Sequence, residues 1–112
     1  MKIVLNIGGV DFVTSQETLL STPCFFSALV RNATESNEFF IDRDPTHFRF
    51  ILNHLRGSSF IPSQPDVLKE LQIEADFYCL EEMSYHIKDK LKVAHAQSVE
   101  TELRLIRQKM PG

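Results

Sequence analysis

The N-terminal part of the chain carries patterns typical of short strands. Apolar and polar positions alternate weakly from Lys2 to Ile7, a segment rich in β-branched residues, which predicts a strand. Gly8-Gly9 is a hairpin signal, so residues 10–14 are expected to return as a second strand. The apolar run 39–41 predicts a third, buried strand.

Helical spacing dominates the rest of the chain. Ser15 can cap a short helix through Leu20, and Thr22-Pro23 is expected to start a second helix. Asp44 followed by Pro45 predicts the start of a third helix that runs to Arg56, with Gly57 as its left-handed stop. Residues 58–63 are expected to be a short extended piece that forms a further short strand, and apolar spacing resumes in helices after Pro65. Strands early and helices late predict an α+β domain.

The predicted third helix carries two apolar stripes. Its core stripe consists of Phe48, Ile51, Leu52 and Leu55 at the spacing i, i+3, i+4, i+7. His47, Phe50 and His54 lie on another face, and a solvent-exposed face would not usually place Phe between two His. We interpret this second face as a contact with another element of the domain or with another subunit.

The C-terminal segment has a pattern like that of a coiled coil. Val99, Leu103, Ile106 and Met110 follow one another at intervals of 4, 3 and 4, over only about two heptads. A helix that packs on a neighbour and a helix that leads into a further domain are equally compatible with it. We therefore divide the chain into a domain at 1–95 and a helical tail or linker at 96–112.

Composition excludes several classes of protein. The 112 residues, 43% hydrophobic and 24% charged, are typical of one globular domain. The net charge of −3 provides no basic field for a nucleic acid. No apolar run approaches the roughly 18 residues of a membrane span. Two widely separated cysteines favour a reducing compartment, so we expect a cytoplasmic protein without a disulfide framework.

Few residues are arranged for chemistry. His47 and His54 are about two helical turns apart, too far to share one zinc ion without a third ligand, and no CxxC is present. Gly8-Gly9 lacks the spacing and the lysine of a phosphate-binding loop. No serine lies in a nucleophile motif beside a plausible base. We expect no metal, no cofactor and no enzymatic activity.

Several ordered motifs resemble one family. They are LNIGG at 5–9, Thr18-Leu19, FFIDRDPTHFRFILNHLRG at 39–57 and ADFYCL at 75–80. Together they resemble the BTB/POZ domain of the potassium-channel tetramerisation type, and they look more like the soluble KCTD proteins than the channels. The resemblance covers roughly residues 2–91. It implies a small three-stranded sheet flanked by a cluster of α-helices.

The resemblance also implies function. Domains of this type assemble into tetrameric or pentameric rings, and the positions that match their subunit contacts are Asp42, Arg43 and Asp44. Asp44 is also explained locally as a helix cap, and Asp42 and Arg43 could equally be solvated instead of lying at an interface. KCTD-like proteins commonly act as substrate adaptors for cullin-3 ubiquitin ligases. That role would make Phe25, Phe26, Phe77 and Tyr78 candidate cullin contacts, although Phe77 could instead be core, with only Tyr78 at the surface.

Two other roles remain open for such a domain. It could be the cytoplasmic tetramerisation domain of a voltage-gated potassium channel, in which case membrane spans would follow in the full-length protein. It could also be a BTB domain that only oligomerises an attached domain. In each case we expect a homo-oligomer, and the second face of the third helix (His47, Phe50 and His54) is a candidate part of its interface.

Overall fold

The computed structural model describes residues 1–33 and 35–109. Three strands and five helices follow one another along the chain: β1 Lys2–Ile7, β2 Val10–Ser15, α1 Gln16–Leu20, α2 Phe25–Asn32, β3 Glu38–Ile41, α3 Phe48–Leu55, α4 Pro65–Phe77 and α5 Glu81–Lys109. The expected α+β architecture, with a three-stranded sheet and a cluster of helices, is confirmed.

The sheet has the order β2-β1-β3. β1 and β2 form the predicted antiparallel hairpin, and Gly8 and Gly9 have φ angles of +56° and +102°. β3 pairs in parallel with β1, and α1 and α2 connect β2 at one edge of the sheet to β3 at the other edge. Gly8 donates its backbone N–H to the carbonyl of Ile41 at 2.9 Å, which joins the hairpin turn to the end of β3.

One hydrophobic core lies between the sheet and the helices. Ile3, Leu5 and Ile7 of β1 are at most 2% exposed and face this core. The helices contribute fully buried side chains that include Phe26, Phe48, Ile51, Leu68, Leu71, Met83 and Ile87. The predicted core stripe of α3 is confirmed, because its four members are all buried.

α3 begins later than the sequence predicts. Its first helical residue is Phe48, and residues 46–47 form a turn before it. The Asp44 carboxylate accepts from the Thr46 N–H at 2.9 Å and from the Thr46 hydroxyl at 2.5 Å. Asp44 therefore caps the Pro45 turn rather than the helix itself. Local side-chain bonding of this kind competes with helix formation.

The end of α3 follows the prediction. Gly57 has a φ of +97°, and its N–H donates to His54 O at 3.0 Å. The N–H of Ser58 donates to Asn53 O at 2.9 Å. These two bonds satisfy carbonyls of the last turn in the pattern of a Schellman motif, which requires a left-handed residue at the position of Gly57.

Two further expectations need correction. α2 starts at Phe25 rather than at Thr22-Pro23, because Phe25 donates its N–H to Tyr78 O at 3.0 Å and the Ser27 hydroxyl accepts from Cys24 N at 2.8 Å. Residues 58–64 form no strand, although the chain there has no helical structure either. Lys90 holds this segment by donating to Ile61 O at 3.0 Å.

α5 is one uninterrupted helix of 29 residues. Its first half packs on the core through Met83 and Ile87, and its second half projects from the domain. The division at residue 95 thus falls inside a continuous helix, and Met110 lies outside the described residues. Among the described helices, none is both long enough and apolar enough to cross a membrane.

Candidate interaction surfaces

The charged run after β3 divides into three different environments. Asp42 is exposed, and Asp44 is exposed but engaged with Thr46. The hydrogen bonds from the Thr46 hydroxyl and N–H lower the pKa of Asp44. These carboxylates line a shallow surface depression of about 400 Å³ together with Arg43, His47, Glu70, Ile73 and Glu74. We call these seven residues the Asp42 surface.

Arg43 is bound within its own protomer. Its guanidinium donates to both carboxylate oxygens of Glu74, through Nε at 3.3 Å and through Nη2. Arg43 Cζ also lies 4.1 Å from the centroid of the Phe77 ring, as a cation–π contact. The side chains of Arg43 and Glu74 are 28% and 11% exposed, so this pair is largely shielded from water. Arg43 thus connects the end of β3 to α4.

The second face of α3 does not form one surface. His47 Nε2 lies 2.7 Å from Glu70 Oε2 of α4. Phe50 stacks on Phe60, with ring centroids 6.1 Å apart. His54 lies beside α5, where burial lowers its pKa and the neighbouring Glu82 partly opposes that change. The alternative of a contact within the domain therefore accounts for His47 and Phe50, and a role for these three residues between subunits stays a proposal.

The four aromatic candidates for cullin contact belong to one cluster, but two of them are inside the protomer. Phe26 is 0% exposed and Tyr78 is 1% exposed, and their rings stack with centroids 4.6 Å apart. Phe77 is 40% exposed, and its ring lies beside that of Phe25, with ring centroids 5.4 Å apart. The structure therefore reverses the interpretation in which Phe77 is core and Tyr78 is exposed. Neither Phe26 nor Tyr78 is available as a surface anchor in this conformation.

A backbone feature explains this reversal. Leu80 donates its N–H to Ala75 O at 2.9 Å, and Cys79 between α4 and α5 has a φ of +59°. This closure of α4 turns Tyr78 inward, where its carbonyl accepts from Phe25. Burial raises the pKa of the Tyr78 hydroxyl, which has no hydrogen-bond partner among the residues described.

A mainly apolar groove lies between α2 and the start of α5. Its volume is about 830 Å³, and its lining includes Phe25, Ala28, Leu29, Cys79, Leu80 and Glu82. Cys24, half-buried, also lines it, and both cysteines are free. No cluster of His, Cys, Asp or Glu suited to a metal occurs in residues 1–33 and 35–109.

The outer face of the sheet is a surface that sequence reasoning missed. Val13 lies directly opposite Val4, while Phe40 lies opposite Asn6 on the other side of β1. Phe40 is 68% exposed and Val13 is 51% exposed. The continuous run Phe39-Phe40-Ile41 suggests a strand buried on both faces, and only the register shows that Phe40 points away from the core. We call this surface the outer sheet face.

Comparison with known proteins places the chain in a family. The model of the BTB/POZ domain family matches residues 3–87. The chain is 31% identical over 96 residues to the BTB/POZ domain-containing protein KCTD5 of Homo sapiens, an alignment that covers 79% of this chain and 41% of KCTD5. It is 34% identical over 95 residues to human KCTD17, covering 79% of this chain and 30% of KCTD17.

A plant protein is similar over a longer stretch. The FH protein interacting protein FIP2 of Arabidopsis thaliana is 42% identical over 111 residues, covering 91% of this chain and 36% of FIP2. The chain thus spans less than half the length of each of these three relatives. The family match extends from β1 into the buried half of α5 and includes every element that forms the core. The chain belongs to the BTB/POZ family, as a domain of the potassium-channel tetramerisation type.

Proposed function

We propose that this domain is a homo-oligomerising interaction module that acts as a KCTD-like substrate adaptor for a cullin-3 ubiquitin ligase. The observation that carries the proposal is the family match across residues 3–87, together with KCTD relatives that are at least 31% identical. In this proposal the protomers form a closed tetramer or pentamer, and the groove beside α2 receives the cullin.

Two different surfaces support assembly into a ring. A closed ring with head-to-tail contacts needs two distinct patches on each protomer. The Asp42 surface is charged and includes Ile73, which is 62% exposed, whereas the outer sheet face is apolar around Phe40. Charged residues at the rim of such an interface fix register and partner choice more than affinity. We assign Asp42 to this role, since Arg43 and Asp44 are held within the protomer.

The groove between α2 and the start of α5 supports the proposed contact with cullin-3. An exposed concave site with apolar walls and an acidic rim suits a partner segment that inserts apolar side chains. Phe25 lines the groove, and Phe77 extends the aromatic surface beside it. Aromatic side chains of this kind are frequent interface anchors. The two free thiols, Cys24 and Cys79, fit a reducing compartment such as the cytoplasm.

Calorimetric titration with the N-terminal domain of cullin-3 tests the adaptor role. We expect binding at micromolar concentration or tighter, and Ala28→Glu should weaken it about tenfold or more because Ala28 is an exposed residue of the groove wall. Arg31→Glu is the matched control, since Arg31 is exposed on the same helix and does not line the groove. Absence of binding at tens of micromolar would exclude the adaptor role. An oligomer that binds no cullin would indicate a domain that only oligomerises.

A further inference from the structure

The projecting half of α5 carries apolar side chains along one face, and this face packs on no other described part of the protomer. Every side chain described between residues 95 and 108 is exposed, whereas Met83 and Ile87 earlier in the same helix are at most 1% exposed. Val99, Leu103 and Ile106 are 40%, 48% and 51% exposed. Three large apolar side chains along one stripe of a projecting helix are normally buried against another surface.

The spacing of this stripe defines a heptad register. An interval of three residues separates an a position from the following d position, and an interval of four separates d from the next a. Leu103 is therefore an a residue, while Val99 and Ile106 are d residues. Ala96 is the preceding a residue. We propose that residues 96–109 form a parallel bundle with the same segment of other copies of this chain.

The identity of the stripe residues indicates more than two helices in this bundle. Two-stranded parallel coils favour β-branched residues at a and Leu at d. The chain has the reverse arrangement, with Leu103 at a and the β-branched Val99 and Ile106 at d. That arrangement shifts the preference to higher oligomers. It agrees with the ring of the proposed function, on which this inference rests.

Charges beside the stripe support a second copy as the occupant. Glu102 occupies a g position and Arg107 the e position five residues later, which are the positions that meet between parallel helices. Both side chains are exposed. An antiparallel pair would instead bring Arg107 near Glu100 of the other helix. Cyclic symmetry favours the parallel arrangement over the antiparallel one, because the tails of one closed ring are related by rotation and point the same way.

The two heptads of the segment are too short to associate by themselves. A stable coiled coil normally has a and d residues that persist over about three to four heptads or more. In a ring, the neighbouring tails are held at a high effective concentration, so weak contacts become sufficient. The bundle would therefore form only in the assembled protein, as an added clamp on the ring.

Hydrogen exchange on the whole chain tests the inference. We expect the amides of residues 99–108 to exchange about tenfold more slowly than in Leu103→Gln, because that change removes apolar side chains from the bundle core. Leu105→Gln is the matched control. Leu105 is 52% exposed on the same helix, close to the 48% of Leu103, but it occupies a c position off the stripe.

The outcomes separate this inference from the proposed function. Equal exchange in Leu103→Gln, Leu105→Gln and the parent chain, in a protein that remains oligomeric, would overturn the bundle and leave the ring. A parent chain that is monomeric would overturn both.

Charge reversal tests the orientation of the helices. Glu102→Arg or Arg107→Glu alone should lower the protection of the tail amides, and the two together should restore it in a parallel bundle. In an antiparallel contact, the double change would place the new carboxylate at position 107 near Glu100 of the other helix and reduce protection further. That result would overturn the parallel arrangement.

Discussion

Arg43 donates to both carboxylate oxygens of Glu74, and this pair joins the segment after β3 to α4. The two residues are 31 positions apart in the chain, and the exposed fractions of their side chains are 28% and 11%. Removing one partner of a shielded pair leaves the other charge without compensation. Arg43 is therefore part of the protomer's own framework, whatever it contributes between subunits.

Substitution of Arg43 should accordingly destabilise the fold. We expect Arg43→Met to lower the free energy of unfolding by about 2 kcal/mol, because Glu74 would be left shielded and unpaired. Arg104→Met is the control: Arg104 pairs with Glu100 at 3.1 Å on the exposed tail, and such a pair contributes about 0.5 kcal/mol or less. Urea unfolding at a fixed protein concentration measures the change in the free energy of unfolding for each variant. Equal changes in the two variants would show that the Arg43–Glu74 pair contributes little to stability.

The first glycine of the hairpin should not tolerate a side chain. A Cβ at Gly8 would collide with the carbonyl oxygen of Arg43, and the φ of Gly8 is +56°. We expect Gly8→Ala to cost roughly 2 kcal/mol or more. At Gly57, where φ is +97° and a Cβ would meet nothing within 4 Å, only backbone strain of about 1 kcal/mol should remain. Thermal unfolding of both variants checks this expectation, and a lower unfolding temperature for Gly57→Ala than for Gly8→Ala would contradict it.

His54 should make stability depend on pH. Burial lowers the pKa of His54 from its ordinary value of 6.5, so the unfolded chain binds the proton more readily than the folded chain. The protein therefore keeps its full stability with respect to His54 above pH 6.5. As the pH falls below that value, protonation of His54 in the unfolded chain lowers the free energy of unfolding.

A pair of histidine variants isolates this effect. His54→Gln should flatten the decline in stability below about pH 6.5. His95→Gln, a change at an exposed residue of the tail, is the control. Urea unfolding across this range measures the slope, and an identical slope in His54→Gln and the parent chain would refute the assignment.

The hydroxyl of Tyr78 should be dispensable for the fold. It is buried and has no hydrogen-bond partner among the residues described. A buried polar group without a partner destabilises, so Tyr78→Phe should raise the free energy of unfolding by about 1 kcal/mol. Tyr78→Ala, by contrast, should cost about 3 kcal/mol or more, because the ring packs on Phe26 and Phe48. A loss of stability in Tyr78→Phe would show that the hydroxyl has a role in the assembled protein.

Asp42 is the residue that should separate assembly from folding. It is exposed, so Asp42→Lys should leave the unfolding of the protomer nearly unchanged. At a subunit contact, however, the reversed charge should raise the concentration at which the oligomer dissociates by about tenfold. Asp89→Lys, an equally drastic change at an exposed position of α5, is the control. Equal dissociation in the two variants would remove Asp42 from the interface.

Local signals predict much of this fold. The Gly8-Gly9 hairpin, the Ser15 cap and the Gly57 stop depend on residues close in sequence, and all three are confirmed. The late start of α3 was missed because Asp44 bonds to Thr46 and forms a separate turn. The Asp-Pro signal from which we predict the start at residue 44 does not distinguish that turn from a first helical turn.

The candidate surfaces were less predictable because they depend on distant contacts. Phe77 and Tyr78 are adjacent, but Tyr78 is the one that contacts distant elements: its carbonyl accepts from the N–H of Phe25, 53 positions earlier, and its ring packs on Phe26 and Phe48. The pairing of Arg43 with Glu74 likewise joins two separate elements. No periodicity within either segment encodes these partners. Exposure of Phe40 depends in the same way on its register against β1.

The proposed function depends on self-association, which sedimentation equilibrium of the whole chain at graded concentrations measures. We expect a single species with four or five times the mass of the protomer at micromolar concentration, because a closed ring has a defined number of subunits. A chain that keeps the mass of one protomer up to about 100 μM, well above the range of specific association, would contradict it.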